Sequence, residues 1–289
     1  MPETKEVKNE KKMNLTKAKQ AVIEAIDENQ NGQIDIEDIV IKGFKTPGIR
    51  INREQFLRKE LVKICTEDTI QIAVDKNPMA ANIPLEEIDK IADEVIKFER
   101  TCVSGISAAL GVPGGWAMVA TIPADIIQYY AYMLRAAQKL LYLYGFPELT
   151  SDEDGVKIDS GTMNILIVCL GVMYGVGGAK NALLIMSKAL GQGVKKELLK
   201  KALTKGTIYP IVKKVCKWFS INLTKEVFSS FFEKAIPVVG GVVGGAITFL
   251  SFKPCCDKLK ESLQDTVFTN PDRLNDNSII DVEVEDIEE

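Results

Sequence analysis

The stretch IPADIIQYYAYMLRAAQKLLYLYG, residues 122–145, carries the clearest structural signal in the chain. Pro123 stands where a helix begins, Asp125 sits in the first turn, Gly145 marks the stop and Pro147 follows it. Proline at a helix start gives up only a donor that has no intrahelical partner, an early carboxylate meets the positive end of the helix dipole, and glycine past the end accepts left-handed backbone. Projected at about 100° per residue, Asp125, Gln128, Tyr132, Arg135 and Lys139 form one polar stripe on an otherwise apolar helix. Facing water with local pairing is the plain reading of that stripe. Lining a ligand groove and pairing with other helices are the alternatives.

Working outward, the same signals recur. Pro84 opens a helix through Arg100 that is acidic at its start and basic near its end, with Ile88, Ile91, Val95 and Phe98 as its apolar stripe. Asn52-Arg-Glu-Gln55 resembles a capping box and opens a helix through about Cys65; the following Thr66–Pro78 ends in another break. Residues 13–26 carry Ala18, Val22, Ile23 and Ile26 at helical spacing. The fold class predicted is all-α, a multi-helix bundle.

Three segments lack any charge: Thr101–Ala124, Ser160–Ala179 and Ala235–Phe252. They explain a mean hydropathy of +0.03 in a chain with 26% charged residues. Each approaches the roughly 20 residues that span a bilayer. Gly111/Gly115, Gly171/Gly175, Gly240/Gly244 and Gly241/Gly245 fall four apart, which lets helix backbones approach closely. Membrane insertion and a tightly packed helical core both fit. Pro113, Pro123 and Pro237 count against continuous spans.

Composition removes some chemistry. The 289 residues include no histidine, so Ser-His-Asp and Cys-His nucleophiles and His-ligated zinc are excluded. The six cysteines form no C-x-x-C pair and read as buried thiols. Met1–Lys12 is charged and lacks an apolar signal core, which favours the cytoplasm. Asn14-Leu-Thr and Asn222-Leu-Thr are then helix N-caps rather than glycosylation sites.

Asp27-Glu-Asn-Gln-Asn-Gly-Gln-Ile-Asp-Ile-Glu-Asp38 places oxygen-bearing side chains at loop positions 1, 3, 5, 9 and 12, glycine at 6 and isoleucine at 8. This is the EF-hand calcium pattern, with Asp in place of the closing Glu. Its ligands for Ca2+ are the side chains of Asp27, Asn29, Asn31 and Asp38, the carbonyl of Gln33, and Asp35 directly or through water. Two neutral ligands and the shorter closing side chain predict weak affinity. Gly43 and Thr46-Pro47-Gly48 are expected to cut the exit helix short.

From Lys188 to Lys225, ten lysines face Glu197 alone. Lys195, Lys196, Lys200, Lys201, Lys213, Lys214 and Lys217, interleaved with apolar residues and Trp218, fit contact with an anionic membrane surface as well as an ordinary solvated face. An acidic chain of net charge −4 without a nucleic-acid motif argues against nucleic acid. The end of the chain is acidic and reads as a disordered tail. The chain thus divides into a charged N-terminus (1–12), an EF-hand-like module (13–48), a helical domain (51–266) and the acidic tail (267–289).

Gly-Val-Pro-Gly-Gly115, Thr-Ile-Pro-Ala-Asp125, Leu-Arg135, Leu-Tyr-Gly145 and Lys-Ala-Ile-Pro-Val-Val-Gly-Gly-Val-Val-Gly-Gly-Ala246 together resemble the bacterial EcsC protein family over about Ile51–Thr266. The resemblance implies a mostly helical protein associated with an ABC transporter, and carries over no catalytic residue. The leading expectation is a non-enzymatic protein at the inner face of the cell membrane, peripheral or partly inserted, and calcium-responsive. The alternative is a soluble protein that binds an apolar ligand or a partner along the 123–145 helix. An enzyme of carboxylate or lysine chemistry comes third.

Overall fold

The computed structural model describes residues 20, 23–110, 122–149, 158–193, 208–234 and 240–276. Residues 23–26 are helical and lead into the loop; then follow α1 (Ile36–Lys45), α2 (Arg53–Leu61), α3 (Glu67–Asp75), α4 (Leu85–Leu110), α5 (Ile122–Leu143), α6 (Ser160–Met173), α7 (Ala179–Gly191), α8 (Tyr209–Lys234), α9 (Gly240–Leu263) and a 3-10 turn, Pro271–Asn275. No strand occurs among the described residues, so the chain is an all-α bundle. One hydrophobic cluster runs from Ile26 to Leu263.

The centre of the bundle is α5, covered by α1, α4, α6 and α9. Its predicted stop holds: Gly145 has φ +96°, and the added Cβ of any other residue would stand 2.9 Å from Phe268. Against α5, α1 runs straight through Gly43 to Lys45 instead of breaking there. Gly43 is instead a contact point, where a Cβ would meet Leu134 Cδ1 at 2.9 Å.

Helix α3 lies inside the stretch that ends at the Pro78 break. Thr66 caps it by accepting from the Thr69 N–H, and Glu67 and Asp68 fill its first turn. Its far end is closed by Arg53 of α2. This buried guanidinium donates to the carbonyls of Ala73 (3.2 Å), Val74 (2.6 Å), Lys76 (3.0 Å) and Phe146 (3.0 Å). Three carbonyls that the end of α3 would leave orphaned, and one beyond the end of α5, are satisfied by one side chain.

The uncharged segment 160–179 is a core helix with a turn. Ile165 to Val172 are all buried, and α6, at 14 residues, is about 21 Å long, short of a roughly 30 Å bilayer core. No helix among the described residues is long and apolar enough to cross a membrane. Gly171 serves close approach as its spacing predicts: a Cβ there would sit 2.8 Å from Val215 of α8 and 3.0 Å from Ala179. Gly175 does not, because its φ of +69° places it in the turn after α6. Gly111 and Gly115 lie outside the described residues.

Helix α4 continues past Arg100 into the first uncharged segment. Residues 267–276, assigned by sequence to the tail, close onto the bundle: Val267 is buried, Phe268 packs on Phe146 at 5.0 Å, and Arg273 pairs with Asp265 and Asp276. Asn222 is no helix start; it lies within α8 and donates to the Trp218 carbonyl at 2.7 Å. Asn14 is outside the described residues. Cys169 and Cys256 are buried thiols, while Cys65, Cys102, Cys216 and Cys255 are half-buried.

Candidate functional site

The loop 27–38 is turned by its own side chains. Asp27 accepts from the N–H groups of Asn31 (3.2 Å) and Gly32 (2.7 Å), Asn29 from Asn31 (3.0 Å), and Asn31 from Gln33 (2.8 Å). Gly32 takes φ +82°, as the sharp turn requires, and Ile34 is buried beneath it. Asp35 is the N-cap of α1, and its carboxylate accepts from the Asn31 amide at 2.7 Å. Asp38 is buried, with its two oxygens on the N–H groups of Glu28 (3.1 Å) and Asp35 (3.0 Å). Burial raises its pKa, the backbone donors opposing.

Among the described residues no three acidic, cysteine or histidine side chains converge to hold a metal. An ion here would draw on amide and carbonyl oxygens beside the carboxylates, and Asp38 would first release its two backbone donors. The turn and the donor types fit a weakly held hard cation.

This loop touches α8. Ser220 donates to Asp35 at 3.2 Å, and the Cys216 thiol to Glu37 at 3.4 Å. Burial, then the adjoining Glu37, pushes the Cys216 thiol up to about 12. On the outer side of the same helix Lys213, Lys214 and Lys217 are exposed. Trp218 is half-buried instead, 5.5 Å from the Tyr174 ring and 5.0 Å from Phe219. Lys195, Lys196, Lys200 and Lys201 lie outside the described residues. Lys188, first of the ten lysines, is buried and donates to the Asp276 carbonyl.

The polar stripe of α5 turns inward onto α4 rather than to water. Asp125 accepts from Ser107 (2.8 Å), which in turn receives the Thr248 hydroxyl of α9 (3.3 Å). Lys139 donates to Glu99 at 2.5 Å, and Arg135 Nε stands 3.3 Å from the same oxygen. The Arg135 guanidinium also lies 5.7 Å from the Tyr132 ring. Gln128 and Tyr132 are half-buried between them. The residue that the sequence missed is Glu99, fully buried, while Phe98, placed by spacing in the apolar stripe, is 56% exposed. A carboxylate next to the stripe, facing cations one turn apart on a neighbouring helix, was the available signal.

No family model, no curated protein and no solved structure matches this chain.

Proposed function

We propose that this chain is a non-enzymatic, EcsC-like helical protein of the cytoplasmic side that binds an anionic membrane surface and responds to calcium, as an accessory to a membrane transport system such as an ABC exporter. The observation that supports it is the direct contact between the loop and α8: Asp35 and Glu37 touch the helix whose outer side carries Lys213, Lys214 and Lys217. Asp35 and Glu37 place negative charge against the helix that carries those lysines and weaken their pull on anionic lipid. A divalent cation held by Asp27, Asn29, Asn31, Gln33, Asp35 and Asp38 neutralises that charge, so the surface binds more strongly.

Sedimentation with vesicles of phosphatidylcholine and phosphatidylserine tests this. Millimolar calcium raises the bound fraction of the wild type, Asp27→Ala removes the calcium effect, and Lys213→Gln/Lys214→Gln/Lys217→Gln lowers binding with or without the ion. Binding that is unchanged by calcium, or by loss of the three lysines, overturns the reading.

A further inference from the structure

The basic side of α8 is one half of a larger face. Lys213, Lys214, Lys217 and Ile221 fall at i, i+1, i+4 and i+8 of that helix and are all exposed. On α9, which touches α8, Leu250 and Lys258 are exposed at i and i+8. The two helices meet over the turn that follows α6. Lys214 Nζ lies 3.3 Å from the point where a Cβ on Gly177 would stand, and Lys258 Nζ 3.6 Å from the same point on Gly175. Only residues 235–239 separate α8 from α9 in sequence. That link reaches at most about 20 Å, less than the roughly 36 Å length of α9, so the helices run antiparallel. Ile221 is seven residues beyond Lys214 and Leu250 eight before Lys258, which sets both about 10–12 Å from the turn in the same direction.

The charge and the apolar surface of this face select its partner together. Lys253 and Lys260 of α9 are paired with Asp257 and Asp93, whereas Lys213, Lys214, Lys217 and Lys258 have no ion-pair partner among the described residues. Glu261, one turn beyond Lys258, is the carboxylate that stands against them. Beside this basic band Leu250 is 72% and Ile221 47% exposed. Next to Leu250, the half-exposed Phe249 carries the Arg100 guanidinium 3.9 Å from its ring centre. A nucleic acid would satisfy the lysines and leave the aliphatic side chains in water. An anionic bilayer offers phosphates and acyl chains within a few ångströms of each other, and flexible lysine stems let the ammonium groups stay at the phosphates while neighbouring apolar groups go deeper. From Gly240 to Phe252, α9 has no charge to oppose that entry.

We infer that the α8–α9 face docks on an anionic lipid bilayer, with Lys213, Lys214, Lys217 and Lys258 on lipid phosphates and Ile221 and Leu250 inserted below the headgroups. It rests on the membrane-surface reading of α8 and adds to it the second helix and the insertion. The test is partition of the full chain onto phosphatidylcholine/phosphatidylserine vesicles at about 0.1 M and about 1 M salt, between which the screening length falls from about 10 Å to about 3 Å. The wild type binds at both, more weakly at the higher. Lys258→Gln lowers partition about fivefold at low salt and has little effect at high salt.

Leu250→Asp lowers partition about tenfold at both salt concentrations, because it removes apolar contact that salt does not screen. The position is exposed, so the urea midpoint stays at the wild-type value. Leu250→Trp keeps the apolar surface; it binds as the wild type does, and lipids brominated on their acyl chains quench its emission beyond the quenching of the wild type. Partition unchanged by Leu250→Asp or by Lys258→Gln, or no added quenching in Leu250→Trp, overturns the inference. If the triple lysine variant of α8 still weakens binding in that event, the surface reading stands without it. A wild type that leaves anionic vesicles unbound overturns both, and assigns the face to an acidic protein surface instead.

Discussion

Replacing Glu99 by leucine is the sharpest probe of how this bundle is held. Glu99 has no exposed surface, and Lys139, whose ion-pair partner among the described residues is Glu99, keeps only 9% of its side-chain surface. Removing the carboxylate strands a buried ammonium, which costs about 3–5 kcal/mol. Arg135, with 24% of its side chain exposed, can turn its guanidinium to water and adds little to that cost. With total stabilities of about 5–15 kcal/mol for single domains, the loss is large but leaves a folded population. At about 3 kcal/mol per molar urea, the midpoint falls by about 1–1.7 M. The double variant Glu99→Leu/Lys139→Met removes both charges, and well-packed apolar replacements of a buried pair are often neutral, so most of the midpoint returns. A single variant within about 0.3 M of wild type, or a double variant no better than the single, refutes the reasoning.

Gly171→Ala drives a methyl group to 2.8 Å from Val215, and overpacking of about 1–3 kcal/mol outweighs a helix-propensity gain of about 1 kcal/mol. A double-mutant cycle with Val215→Ala should show favourable coupling, and simple additivity in urea melts would remove the contact from consideration. Arg53→Met leaves four carbonyls without their donor and lowers stability by about 3 kcal/mol or more, with Arg53→Lys recovering less than half in the same melts. Lys42 and then Lys45 hold the Glu28 carboxyl below its usual range, so its contribution is present above the unfolded value and lost as pH falls through the folded one. Glu28→Gln therefore costs about 0.5 kcal/mol at neutral pH, a small figure because the pair is partly solvated, and less at about pH 3, where the carboxyl is being protonated. An equal cost at both pH values would refute that linkage.

Much of the fold was legible where local chemistry decides it. The start and stop of α5, the turn at Gly32 and the crossing at Gly171 follow from residue types at fixed offsets. What stayed hidden depends on partners far along the chain. Phe98 and Glu99 sit side by side at the edge of one helical stripe, and apolar spacing favours the phenylalanine. Lys139 and Arg135, some forty residues on, reverse that choice by giving the carboxylate a reason to be inside. Arg53 likewise looks like an ordinary first-turn residue until α3 and Phe146 are packed around it. Helix α3 is a different case, because Thr66 followed by two acids was a local signal that the stretch contained all along. Of the candidate sites, the loop was readable from spacing, whereas the cluster of Glu99, Arg135 and Lys139 needed two antiparallel helices to bring it together.

The burial of α6 on every side has a consequence for how the protein is made. Of its neighbours, α1 and α5 precede it, but α7, α8 and α9 are all later in the chain. A nascent chain that has released Ser160–Met173 can therefore cover this uncharged fourteen-residue helix only on the side of α1 and α5, and its burial is complete only when synthesis reaches about Leu263. Ribosomal pausing or truncation within that interval leaves part of an uncharged helix exposed for roughly ninety residues of translation, the condition in which incompletely folded chains aggregate.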